Sequence, residues 1–127
     1  MADEGAPSNR VKSHTSGTPG RVLCSARGQH WVIDEPASAG GPGEALGPVE
    51  AFLSGISACA VGMIERFATE SEVPLQWAEV SIEELRHREA RPAHDNLTVL
   101  DEVRLRFDLT GPSQEQGQEL VEAYRRR

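Results

Sequence analysis

Apolar residues recur at steps of three and four between Val49 and Phe67, through Phe52, Leu53, Ile56, Ala60, Met63 and Ile64. That period predicts one long helix from Val49 to about Thr69, with Pro48 suited to its start because a first-turn residue needs no amide donor. Ser71 and Glu72 lead out, and Pro74 prevents continuation. Upstream, "RVLCSARGQHWVID" sets β-branched and aromatic residues on both sides of Arg27-Gly28 and predicts a β-hairpin. Downstream, "EVRLRFDLT" alternates strictly through Val103, Leu105, Phe107 and Leu109, while "LQWAEVSIEELRHRE" alternates imperfectly through Trp77, Val80, Ile82 and Leu85. Two antiparallel strands joined through the "ARPAHDN" turn account for both. Ser113 opens a last helix, Gln116 completes a capping-box pattern, and Leu120, Val121 and Tyr124 fall on one side.

The order is therefore ββ, long helix, ββ, helix, without an internal repeat. It predicts an α+β fold rather than a doubly wound parallel sheet. Residues 1–19, rich in Gly, Pro, Ser and charge, read as a flexible lead-in in which "RVKSH" offers a short edge strand, and residues 20–127 as one domain. Between hairpin and helix, "EPASAGGPGEALGP" holds three prolines and four glycines. A loop of that length in a compact domain often borders a binding site. The last helix runs into "AYRRR" with no glycine cap, so the chain reads as ending early.

Composition narrows the partners. A net charge of −7 with acidic residues spread along 127 positions disfavours capture of nucleic acid or anionic lipid. Aromatics make up 5%, so Val, Leu, Ile and Ala must build the core. No uninterrupted apolar run approaches the roughly 20 residues of a membrane span, and "MADEGAPSNR" lacks the order of a signal peptide. A cytoplasmic protein is expected, with a small or apolar partner and no cofactor. Cys24 and Cys59 form no C-x-x-C, which predicts two free thiols and neither a disulfide framework nor a zinc site.

Cys59 is the chemically interesting position. Helical spacing puts it beside Phe52, Ile56 and Met63, facing packed surface, and a helical cysteine in such a place is commonly a small core residue. Gly55, Ala58 and Gly62 leave a shallow strip on the same helix. Interior glycines each cost roughly 1 kcal/mol relative to alanine, so a close helix contact within or between subunits is expected there. Glu50 suits the positive end of the helix dipole. It precedes Cys59 by nine positions, about 13 Å along the axis and half a turn around it, so the two can meet only across a dimer interface. Asp34 and Glu35, after His30 and Trp31, read as solvated turn residues. His87 and His94 flank the second turn among charges, and His14 lies in the lead-in; none has metal-ligand spacing.

With these residues in view, "HWVIDEPASAGG", "GPVEAFLSGISAC" and "LDEVRLRFDLTGP" together resemble the OsmC/Ohr family of bacterial stress proteins, and more closely its OsmC-like branch, which carries a similar DEP-x(3)-GG segment. The resemblance runs from about His30 to Arg127. It implies an intertwined homodimer with curved antiparallel sheets around long central helices. It also implies reduction of hydroperoxides, preferentially organic ones, in oxidative-stress defence, with Cys59 at the position of the attacking cysteine and Glu50 as the accompanying acid. His30, Trp31, Phe52, Ile56 and Met63 would then line the pocket. Two departures accompany it. The family's resolving cysteine, in a late Cys-Pro pair, has no counterpart before Arg127, so resolution is expected either from an external thiol reductant or from a segment that would follow Arg127. Glu50 keeps the nine-residue spacing of the OsmC-like branch, whereas Ohr proper has its acid ten residues before the cysteine, where Val49 stands here. Ohr also uses an arginine near its first strands to activate the thiol; Arg21 and Arg27 are available, outside any matching motif. The alternative is a non-catalytic dimer of the same fold that binds a small apolar ligand and in which Cys59 is structural.

Overall fold

A computed structural model describes residues 5–86 and 102–127. The chain divides into two compact units, Met1–Phe52 and Leu53–Arg127.

In the first unit, three antiparallel strands, β1 (Lys12–Thr15), β2 (Arg21–Ala26) and β3 (Gln29–Asp34), pair in the order β1-β2-β3. The hairpin read around Arg27-Gly28 is present. Both turn residues have positive φ, 50° and 78°, the arrangement whose twist matches that of the flanking strands. Strand β1 is the edge strand offered by "RVKSH", and all four of its residues are exposed. After β3 the chain makes a single 3-10 turn, Ala37–Ala39, and folds back on itself. The Glu35 amide donates to Gly20 O at 2.8 Å and the Gly43 amide to Glu35 O at 3.1 Å. A Cβ on Gly41 would lie 2.2 Å from Glu35 O, so only glycine lets these backbones approach.

The long helix α1 (Pro48–Glu70) starts at the proline and ends four residues before Pro74, as the apolar spacing predicted. In the second unit its inward side carries Ala60, Ile64, Phe67 and Ala68, which form the core together with Leu120 of α2 (Gln114–Arg125). Strands β4 (Trp77–Leu85) and β5 (Glu102–Thr110) pair antiparallel, with Ala78 opposite Leu109 and Val80 opposite Phe107. Residues directly opposite share a face, so these four and the pair Ile82–Leu105 make one apolar side. The reverse side carries Glu79, Asp108, Glu83 and Arg104. The connection between β4 and β5, with His87, His94 and the "ARPAHDN" turn, lies outside the described residues.

Helix α2 begins as the sequence predicted. The Ser113 hydroxyl accepts from the Gln116 amide at 3.2 Å, and the Gln116 side chain accepts from the Ser113 amide at 2.9 Å. Tyr124 stacks at a tilt on Phe107, ring centroids 5.4 Å apart, and the Arg127 guanidinium lies 5.6 Å from the Phe67 ring centre. The turn from β5 into α2 is tight because Gly111, at φ 113°, sits where a Cβ would fall 2.0 Å from Pro74 O.

By length and composition α1 could cross a bilayer, although no uninterrupted apolar run in it approaches that length. Glycine, alanine and serine make up the difference: they interrupt the run of large apolar side chains without adding charge. Only 22% of its most apolar stretch is buried within the chain.

Candidate functional site

Cys59 is exposed, and this corrects the expectation that it faces packed surface. The packed side of α1 is set by Ala60, Ile64 and Phe67, one position further round the helix than the stripe drawn through Phe52, Ile56 and Met63. Cys59 therefore shares the outward side with Phe52, Gly55, Ala58 and Gly62, all exposed. Phe52 is 58% exposed, unusual for so large an apolar side chain. Ile56 and Met63 are half-buried, and Met63 packs against the core edge while its sulfur lies 3.9 Å from that of Cys59.

Glu50 occupies the third position of α1. Its Oε1 accepts from the Gly47 amide at 2.8 Å, closing half of a capping box on a first turn whose amides have no helical partners. Cap and dipole both hold the acid at the helix start. Along α1 it stands about 13 Å from Cys59 and on the other side, so the structure does not bring the two together within one chain.

The most strongly built polar group lies in the first unit. Arg21, at the start of β2, forms a two-pronged ion pair with Asp34, at the end of β3: Nε to Oδ1 and Nη2 to Oδ2, each 2.8 Å. Asp34 is 1% exposed and accepts further bonds from the Glu44 and Ala45 amides, both at 3.0 Å. Arg21 also reaches Glu44 Oε1 at 3.2 Å. The reading of Asp34 as a solvated turn residue is thus wrong, whereas Glu35 is exposed as expected. A signal for the pair was present: a two-residue turn at Arg27-Gly28 fixes the register, and counting outward places Arg21 opposite Asp34. The cluster ties the loop before α1 to the sheet.

The bonds from Arg21 hold the Asp34 carboxyl down at about 2, below its usual 3.8, against burial, which pushes the other way; the two amides add to the lowering. The same pairing raises the Arg21 pKa further. A carboxyl lowered on folding stabilises the native state above its unfolded pKa, and that contribution is lost as pH falls through the folded value. The pair should therefore make stability fall between about pH 4 and pH 2. Thermal melts across that window check it: Asp34→Asn should melt at a lower temperature at pH 7 and show a flatter pH dependence below pH 4.

Cys24, in β2, is buried, and the Ser13 hydroxyl donates to its sulfur at 3.3 Å. His30 and Trp31 line a shallow cavity of about 230 Å³ on the three-stranded sheet, with His14, Leu23 and Val32. Phe52, Ile56 and Met63 are not part of that cavity. Among the described residues, no group of three or more His, Cys, Asp or Glu side chains could hold a metal ion.

An α+β chain with two antiparallel sheets, a long helix between them in sequence and an exposed thiol on that helix defines a class of small thiol-bearing proteins. Residues 41–127 match the family of OsmC-like proteins, and the chain belongs to that family. Its fold is similar to that of an OsmC-like protein from Mycoplasma pneumoniae, with TM-score 0.79, 16% identity, and 95% of this chain and 82% of that one covered. It is also similar to an organic hydroperoxide resistance protein, OsmC, from Legionella pneumophila, with TM-score 0.66, 21% identity, and 91% and 80% covered. Among curated proteins none matches the sequence.

Proposed function

We propose that this protein is a cytoplasmic, thiol-dependent hydroperoxide reductase of oxidative-stress defence, working as a homodimer with Cys59 as the attacking residue. The observation that carries this reading is the placement of the two thiols in an OsmC-like chain: Cys59 is exposed on the long helix and Cys24 is buried in a strand. Exposure is what a nucleophilic thiol needs, and burial keeps a structural one inert. The outward side of α1, with Phe52 and its strip of small residues, supports a second copy packing there. Such a copy would cover the cysteine with apolar wall suited to an organic hydroperoxide and could bring its own Glu50 toward it.

In the reaction, the Cys59 thiolate attacks the outer oxygen of ROOH. The O–O bond breaks, ROH leaves after taking a proton, and the sulfur is left as a sulfenic acid. An external thiol condenses with that acid, releasing water and forming a mixed disulfide. A second thiol then attacks the disulfide, restores Cys59 and departs as the oxidised reductant. Overall, ROOH and two thiols give ROH, water and one disulfide. Cys24, only 4% exposed in β2, offers far less access for a resolving step than Cys59 offers a peroxide.

Single-turnover reaction of the prereduced protein with cumene hydroperoxide, followed by dimedone trapping and mass spectrometry, tests the proposal. The expected result is trapping at Cys59 much faster than for free cysteine. A rate no faster than free cysteine overturns it and leaves the apolar-ligand dimer, the reading favoured by the contact of the Cys59 sulfur with the Met63 thioether.

A further inference from the structure

The first unit holds a second cavity, of about 730 Å³, between the segment entering β1 and the far end of the β2–β3 hairpin. Among the described residues its charged lining side chains are Arg10, Lys12 and Arg27, and none is acidic. In a chain of net charge −7 this is a local reversal of sign. None of the three makes an ion pair among the described residues, which they share with Arg66, Arg126 and Arg127, whereas Arg21, Arg86, Arg104, Arg106 and Arg125 rest on carboxylates. Lys12 opposes Ser25 across β1 and β2, so its ammonium and a hydroxyl share one face of the sheet. Ser25 lines the cavity too, as do the apolar Pro7, Val11 and Ala26.

Arg27 adds an observation from the backbone. It occupies the first turn position at φ 50°, a conformation that asparagine or glycine adopts readily and arginine at a cost of roughly 1 kcal/mol. The hairpin turn itself requires that conformation. An arginine, rather than asparagine or glycine, fills it beside the cavity.

We propose that this cavity binds the phosphate group of a small phosphorylated organic molecule. Arg27, Arg10 and Lys12 neutralise the phosphate, Ser25 donates to it, and Pro7, Val11 and Ala26 cover the organic body. Arginine suits a phosphate because its planar fork can make two parallel bonds to it, while lysine acts as a point charge. The volume falls in the range of small-molecule sites and exceeds what a bare phosphate fills.

The test is calorimetric titration of the 127-residue chain with AMP, with adenosine and inorganic phosphate as comparators, at low ionic strength. AMP is expected to bind more tightly than inorganic phosphate, and adenosine not at all. The double variant Lys12→Gln/Arg27→Asn should weaken AMP binding by about tenfold or more, through loss of two charge-assisted contacts. Arg27→Asn alone should weaken binding while its melting temperature holds or rises, because asparagine relieves the turn; loss of folding would move both readings down together. Undetectable AMP binding at millimolar concentration, adenosine binding as well as AMP, or unchanged affinity in the double variant would each overturn the proposal. Inorganic phosphate binding as tightly as AMP would overturn the assignment to an organic phosphate.

Discussion

Cys59→Ser should bring thiol-dependent consumption of cumene hydroperoxide down to the uncatalysed background, a loss on the order of 10³-fold or more, while Cys24→Ser keeps it within about twofold. The contrast follows from where the two sulfurs lie. Cys59 stands on the outward side of α1, where a peroxide oxygen can reach it, and a serine hydroxyl there is far too weak an acid to supply the nucleophile. Cys24 is 4% exposed and receives the Ser13 hydroxyl. A serine in its place is slightly smaller and can keep that partner. Steady-state assays with a dithiol reductant, run on both variants and the parent, read the difference directly. Equal loss in both variants would point to a shared structural failure and would count against the assignment of Cys59.

The second large effect is structural. Ile64→Ala should destabilise the protein by about 2–5 kcal/mol, lowering its melting temperature by on the order of 10 °C. Ile64 is fully buried on α1 and belongs to the cluster with Phe67, Ala68 and Leu120. Truncation removes three carbons from that cluster and leaves a void, which the surrounding helices can fill only partly. Glu65→Ala, one position along and exposed, provides the control and should change stability by less than about 0.5 kcal/mol. Thermal or urea denaturation of both variants decides whether this cluster carries the second unit.

Most of the fold was legible in the sequence because its elements are amphipathic in the plain sense. The step of three and four through Val49 to Phe67 located α1, Ser113 and Gln116 located α2, and strict alternation located β5. The site was less legible. A helical wheel through Phe52, Ile56 and Met63 gave Cys59 a packed side, yet the core is centred on Ala60, Ile64 and Phe67, and a shift of one residue turns a helix face by about 100°. Asp34 was misread for a different reason. A carboxylate two residues before a proline looks like a turn residue in any local window, and its burial depends on Arg21, a partner distant in sequence that only the hairpin register supplies. Arg27 was visible as a turn residue, but the cavity beside it was not, since it needs the segment before β1 to lie alongside that turn.

The unequal exposure of the two thiols also makes the molecule its own conformational gauge. In the dissociated chain a maleimide dye should mark position 59 and leave position 24 untouched until β2 separates from its neighbours. The ratio of double to single labelling then records how often the three-stranded sheet opens, without any engineered probe, and does so at concentrations far below those that spectroscopy of so few aromatic rings requires.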